Sequence, residues 1–119
     1  IEINPNNAMA YNNRGVVKDA LEDDYGAIAD YSKAIEINPR DDMAYYNLGL
    51  AKHDLKDYTG AMADYNKAIE INPRLAIAYN NRGVVKENLG DMKGSCSDWR
   101  QASYLGHEDA TKSVSNQCQ

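Results

Sequence analysis

Apolar and small residues in the middle of the chain recur every three to four positions in two consecutive runs. The runs contain Ala44, Tyr45, Leu48, Gly49 and Ala51, then Tyr58, Ala61, Met62, Tyr65, Ala68, Ile69 and Ile71. This spacing is typical of amphipathic helices that bury one face. The segment HDLKDYTG interrupts the pattern, and Pro73 ends the second run because its ring cannot continue a helix. The pattern therefore predicts two antiparallel helices joined by a short turn.

This predicted helix pair occurs three times at a constant interval. Pro5, Pro39 and Pro73 are 34 residues apart, and each follows the letters IEIN. A fixed period of this length indicates stacked units that bury their apolar faces against one another. We therefore predict one all-α domain over residues 1–119, with repeats at 8–41, 42–75 and 76–106. Residues 1–7 match the end of a truncated preceding repeat, and residues 107–119 are expected to form a capping helix.

Composition and charge narrow the class of partner. The chain has 119 residues, 43% of them apolar, and its 13 basic and 18 acidic residues give a net charge of −5. This apolar fraction suffices for a helical core, whereas the negative charge disfavours binding to nucleic acid or anionic membranes. No segment approaches the roughly 20 apolar residues that span a bilayer. We therefore expect a soluble chain with a protein or peptide partner.

The three copies resemble the tetratricopeptide repeat (TPR), a helix-turn-helix unit of about 34 residues. The resemblance rests on recurrent aromatic, glycine and alanine positions, namely Tyr11, Tyr45, Tyr79, Gly15, Gly49, Gly83, Tyr31, Tyr65, Trp99, Ala34, Ala68 and Ala102. It implies a right-handed superhelix of antiparallel helix pairs with a C-terminal capping helix. It also implies a non-catalytic protein-interaction module without a cofactor.

Two departures from the repeat pattern have structural consequences. Arg14 and Arg82 stand at the place that Leu48 takes in the second repeat. We expect their aliphatic stems to pack and their guanidinium groups to reach water or a carboxylate. Tyr25 stands one place later in its repeat than Tyr58 does, which predicts a reshaped first turn.

The resemblance further implies that the first helix of each repeat lines a concave groove. The residues that it places there are Met9, Asn12, Asn13, Val16, Met43, Tyr46, Asn47, Leu50, Ile77, Asn80, Asn81 and Val84. The row Asn13, Asn47 and Asn81 is similar to the asparagine ladder that holds peptide backbones in O-linked N-acetylglucosamine transferase. A carboxamide both donates and accepts hydrogen bonds, so it can bind a backbone irrespective of sequence. The alternative interpretation is that these asparagines merely solvate a helix face.

The remaining groove residues define the expected partner. The apolar ones, Tyr46 among them, are expected to form shallow pockets, while Asp19, Asp54 and Glu87 favour a basic or apolar segment over an acidic one.

The family also contains a carboxylate clamp, built from Lys, Arg and Asn, for the acidic tails of heat-shock chaperones. Its places are taken here by Asn12, Val16, Asn47, Ile77 and Asn81. Only Asn47 matches the residue that the clamp requires at its place, so we expect no binding of chaperone tails.

Two functions are compatible with these features. The first is a non-catalytic module that binds an extended peptide or a partner helix in the groove. The alternative is an assembly scaffold that forms a homo-oligomer through its uncapped N-terminal face.

Catalytic and metal-binding residues are not predicted. His53 and His107 lack companions at metal-ligand spacing, and residues 22–24 lack the central glycine and closing glutamate of a calcium loop.

Cys96 and Cys118 lie at similar distances from the corner predicted near Gly106, so antiparallel packing could bring them together. A disulfide between them would imply an oxidising compartment, as for a periplasmic or secreted protein. Two buried free thiols would fit the cytoplasm, which is otherwise the favoured location. Both interpretations stay open at the level of the sequence.

Overall fold

The computed structural model describes residues 4–118. Within this range the backbone forms seven helices and no strand: α1 (Ala8–Ala20), α2 (Asp24–Ile37), α3 (Asp42–Asp54), α4 (Tyr58–Ile71), α5 (Ala76–Asn88), α6 (Met92–Tyr104) and α7 (Glu108–Gln117). Successive helices pack as the antiparallel pairs α1–α2, α3–α4 and α5–α6, so the predicted all-α architecture is confirmed. The first three residues of the predicted truncated repeat, and residue 119, lie outside the described residues.

Each of the first two pairs turns through a residue with a left-handed backbone. Glu22 and Lys56 take φ angles of 63° and 64° at equivalent places. An aspartate then caps the second helix, and the Asp57 carboxylate accepts a hydrogen bond from the Gly60 N–H at 3.0 Å. Because the two turns share one shape, the predicted reshaping of the first turn is wrong. Tyr25 lies inside α2, after the cap, where its exposed side chain takes no part in the turn.

Within each pair, a glycine of the first helix faces an aromatic ring of the second. The pairs are Gly15 with Tyr31, Gly49 with Tyr65, and Gly83 with Trp99. The three aromatic residues are at most 1% exposed. A Cβ atom added to the glycine in the second pair would lie 2.8 Å from the ring. The close approach of helix to ring therefore accounts for the recurrent glycine of the sequence pattern.

Neighbouring pairs join through the second helix of one and the first helix of the next. At the first junction Ala27 and Tyr31 of α2 form one buried cluster with Leu48 and Ala51 of α3. Burial of such side chains is the main favourable contribution to folding, at about 25 cal/mol per Å² of apolar surface. Each pair is therefore stabilised by its neighbours, and separate buried clusters follow one another along the stack.

The last helix, α7, covers the C-terminal end of the stack. Gly106 takes a φ of 99°, and Nδ1 of His107 then caps α7 by accepting the Ala110 N–H at 3.2 Å. Ala110 is fully buried, and Val114 packs against the buried cluster that contains Cys96, Trp99 and Ala102 of α6. A disulfide joins Cys118, the C-cap of α7, to Cys96 on α6.

The stack is elongated, with principal extents of 51 × 25 × 21 Å. The first helices contact one another, α1 with α3 and α3 with α5, whereas between residues 4 and 118 the helices α2, α4 and α6 make no comparable contacts. The first helices are therefore more closely spaced and form the inner wall. In the part of the chain that the structure describes, no helix is long and apolar enough to cross a bilayer.

Candidate functional site

Four of the apolar side chains predicted for the groove remain open to solvent. Met9 is 72% exposed, Val16 48%, Met43 39% and Ile77 36%. They come from α1, α3 and α5, the helices that contact one another, and so they follow one wall of the stack. We call this surface of α1, α3 and α5 the inner groove. A group of exposed apolar side chains is a feature of interaction surfaces.

Other residues predicted for the groove are more deeply packed. Leu50 and Val84 are half-buried and contact core clusters. Tyr46 is 6% exposed, and its ring centroid lies 5.8 Å from that of Tyr65. This burial corrects the expectation that Tyr46 forms an apolar pocket, because the core between α3 and α4 takes up the ring. The Tyr46 hydroxyl group accepts a hydrogen bond from Asn81 and so reaches the next repeat.

Asparagine side chains connect neighbouring first helices. Nδ2 of Asn47 donates to Oδ1 of Asn12 at 3.3 Å, and Nδ2 of Asn81 donates to Oη of Tyr46 at 2.8 Å. Each of these bonds joins residues that are 35 positions apart. Asn13, the first member of the predicted row, is exposed. Because a carboxamide has two N–H donors and an acceptor oxygen, the bonded asparagines keep hydrogen-bonding capacity toward the groove.

Three carboxylates converge where the first two repeats meet. Asp19 of α1, Asp24 of α2 and Asp54 of α3 place carboxylate oxygens within 4.8 Å of one another, beside a cleft of about 570 Å³. Burial raises the pKa of Asp19 to about 6, with further contributions from contact with Asp24 and the charge of Asp54. Burial also raises the pKa of Asp54. The cluster concentrates negative charge at one edge of the inner groove.

The arginines of the first helices bind the second helices instead of the groove. Arg14 donates to Asp30 from Nε and from a terminal nitrogen at 2.8 and 2.7 Å, and Arg82 contacts Asp98 in the same way at 2.9 and 2.7 Å. Hydrogen bonding to Arg14 holds the pKa of Asp30 below its ordinary value. The expectation that these guanidinium groups reach water or a carboxylate is confirmed by the paired geometry.

Sequence reasoning missed Asp24 as a partner of the acidic groove residues. Residues 22–24 do not match a calcium loop, and a single repeat gives no sign of what the next repeat brings near them. The spacing does carry a signal for the contact between Asp19 and Asp54, although not for Asp24. Asp19 and Asp54 are 35 residues apart, as are the hydrogen-bonded Asn12 and Asn47. One repeat length plus one residue therefore identifies side chains that meet across adjacent first helices.

Comparison with known families identifies the repeat. The family model described as TPR repeat matches residues 20–56 and 50–90, which together cover more than half of the chain. The chain therefore belongs to the TPR family. This family is a protein-interaction fold, and the chain is accordingly a protein-interaction module. Among curated proteins, no sequence matches it.

Solved structures agree on the fold. The Arabidopsis OM64 TPR domain superposes with a TM-score of 0.89 at 24% identity, over 92% of this chain and 93% of that chain. The first TPR of Spaghetti (RPAP3), bound to the HSP90 peptide SRMEEVD, gives 0.88 at 22% identity, over 97% and 93%. MamA gives 0.83 at 26% identity, over 91% and 63%. At these identities the likeness establishes the architecture and leaves the ligand undefined.

Proposed function

We propose that the chain binds an extended peptide segment of a partner protein in the inner groove. The observation that carries this proposal is the row of exposed Met9, Val16, Met43 and Ile77 along helices that contact one another. Soluble proteins seldom leave such a row uncovered without a binding role. The flexible methionine side chains can adapt their shape to different apolar side chains of a ligand.

The asparagine row supports an extended ligand rather than a helical one. A helix satisfies its own backbone groups, whereas an extended backbone needs partners for its N–H and C=O groups. Asn13, Asn47 and Asn81 lie beside the apolar row, on the same helices. Asn47 is held by its bond to Asn12, which reduces the entropy lost when it binds a ligand.

Charge favours a partner segment that carries Lys or Arg. Asp19, Asp24 and Asp54 lie together at the groove edge, and none of the twelve residues predicted for the groove is basic. The peptide in the similar Spaghetti (RPAP3) structure, SRMEEVD, is rich in acidic residues. A ligand of that kind would meet like charge here, because Arg14 and Arg82 are engaged with buried carboxylates. The proposed ligand is therefore a basic and apolar segment.

Substitution of Asn47 with alanine is expected to weaken peptide binding about 10-fold, the equivalent of one lost hydrogen bond. The measurement starts by selecting peptides from a random library on the purified chain. Selected sequences should be enriched in Lys, Arg and apolar residues and depleted in Asp and Glu. Their affinities are then measured for the wild type, for Asn47→Ala, and for the matched control Gln101→Ala on the exposed side of α6.

Two outcomes would contradict the proposal. One is a library that yields no enriched sequence. The other is an equal effect of the Asn47→Ala and Gln101→Ala substitutions on affinity. That result would show that the peptide does not bind in the inner groove. Enrichment of acidic peptides would overturn the charge argument while leaving the groove itself in place.

A second candidate function is self-association through the N-terminal face of the first repeat. Val17 is 57% exposed, although Val85, at the same place in the third repeat, is fully buried under the preceding pair. A second copy of the chain could cover this apolar surface. Sedimentation at increasing concentration tests this role. A mass that rises toward a dimer supports it, and a constant monomer mass excludes it.

We also propose an oxidising compartment for the chain, on the basis of the Cys96–Cys118 disulfide. Disulfides persist outside the cytosol and are rare where thiol-reducing systems operate. The bridge thereby favours the periplasmic or secreted location over the cytoplasmic one. Alkylation of the chain isolated from its native source, without reductant, would leave both cysteines unlabelled if the bridge is present there.

A further inference from the structure

The capping helix α7 buries few of its own side chains and has a low intrinsic helix propensity. In α7 only Ala110 is fully buried, whereas α3 buries Ala44, Tyr46, Leu48, Gly49 and Ala51. Helices of ten residues are marginal in water, and the sequence EDATKSVSNQ contains Thr, Ser, Val and Asn, which are poor helix formers. Once α7 leaves α6, it is therefore expected to lose its helical structure.

A covalent bond fixes the end of α7 that is farthest from its turn. The N-terminal end follows the turn at Gly106, and the C-terminal end stops at Cys118, which is disulfide-bonded to Cys96 on α6 with 5.8 Å between the Cα atoms. The bond joins residues that are 22 positions apart and closes a loop that includes the turn and the whole of α7. Closing such a segment restricts the released state far more than the docked one.

The surface beneath α7 is apolar and belongs to the core of the third pair. Cys96, Trp99 and Ala102 are 8%, 1% and 0% exposed while α7 lies along this face of α6. Val114 and Cys118 pack on the same cluster. Departure of α7 would open this cluster to water, so docking of α7 and order in the third pair are linked.

We propose that the Cys96–Cys118 disulfide is a redox latch, and that its reduction by a dithiol frees α7 and uncovers the buried face of α6. Cys118 is only half-buried, so a thiolate can approach its sulfur. Attack there forms a mixed disulfide and releases Cys96 as a thiolate, which takes up a proton. The second thiol of the reductant then displaces Cys118. Two electrons pass to the protein, which gains two thiols, while the dithiol becomes a cyclic disulfide.

Hydrogen exchange of the intact chain with and without dithiothreitol tests the latch. After reduction, the protection of amides in residues 108–118 should fall by at least about 10-fold, since the constraint on the released state is gone. Protection of α1 to α4 should stay unchanged. Complete reduction is verified by alkylation of both thiols under denaturing conditions. Unchanged protection of α7 in fully reduced chain would overturn the proposal.

A double variant separates loss of the bond from any direct effect of the reductant. Cys96→Ser with Cys118→Ser should exchange like the reduced wild type and should not respond to dithiothreitol. A variant in which α7 is as well protected as in the oxidised wild type would contradict the latch. Reoxidation of the reduced wild type should restore protection; if the bond re-forms and α7 stays unprotected, the latch is likewise refuted.

Discussion

Replacement of Asp98 with asparagine is expected to lower the free energy of unfolding by about 3 kcal/mol, because it leaves two cations without their shared buried anion. The Asp98 side chain is 5% exposed and contacts a terminal nitrogen of Arg82 at 2.7 Å and Nζ of Lys86 at 3.0 Å. Neither cation is free to turn fully into water, since their side chains are 18% and 20% exposed. Denaturant unfolding monitored by circular dichroism provides the measurement.

The second repeat supplies the matched control. Among residues 4–118, Asp64 forms an ion pair with a single cation, Lys52 at 2.9 Å, because Leu48 replaces the arginine of the other repeats. Burial raises the pKa of Asp64, so the folded state disfavours its charged form. The wild type therefore gains stability from this group as pH falls, and the neutral Asp64→Asn variant should cost less than about 1 kcal/mol at pH 7. Equal losses of unfolding free energy in the two variants would contradict the expectation that pairing with the arginine makes the aspartate more important for stability.

Replacement of Gly49 with alanine is expected to cost about 2 kcal/mol through overpacking, although alanine favours helix more than glycine does. The new Cβ atom would lie 2.8 Å from Cε1 and 2.9 Å from Cδ1 of Tyr65. That ring is fully buried and packs on Tyr46, so it cannot move aside without disturbing α3 and α4. The expected fall in the melting temperature is roughly 8 °C.

The control for this prediction is Ser97→Ala, an exchange to alanine at an exposed position in the middle of α6. It should leave the melting temperature unchanged or raise it slightly, since alanine has the higher helix propensity. A Gly49→Ala variant as stable as the control would mean that the first and second helices are packed less closely than the structure describes.

The parts of the fold that repeat along the chain were predictable from the sequence, and the parts that depend on how repeats meet were not. The three prolines define the helix pairs, and Gly106 correctly indicates where α7 starts. These are local signals, which one stretch of sequence carries by itself. The burial of Tyr46 depends on the width of the space between α3 and α4, and no local pattern encodes that width.

The same distinction applies to the candidate site. The groove positions of α1, α3 and α5 were assigned from the place of each residue in its repeat, and they stay a prediction. The bonds of Asn47 to Asn12 and of Asn81 to Tyr46 depend instead on the rotation between adjacent pairs. That rotation is set by the packing of whole helices. It therefore becomes visible only when the repeats are assembled.

The most direct test of the proposed function uses the four methionines as reporters. Met9 and Met43 lie in the inner groove, whereas Met62 packs against the core and Met92 lies at the start of α6. Methyl NMR spectra of methionine-labelled chain are recorded while a library-selected peptide is added. Binding in the inner groove predicts shifts for Met9 and Met43 with Met62 and Met92 nearly unchanged. Shifts confined to Met62 and Met92, with Met9 and Met43 unaffected, would contradict it.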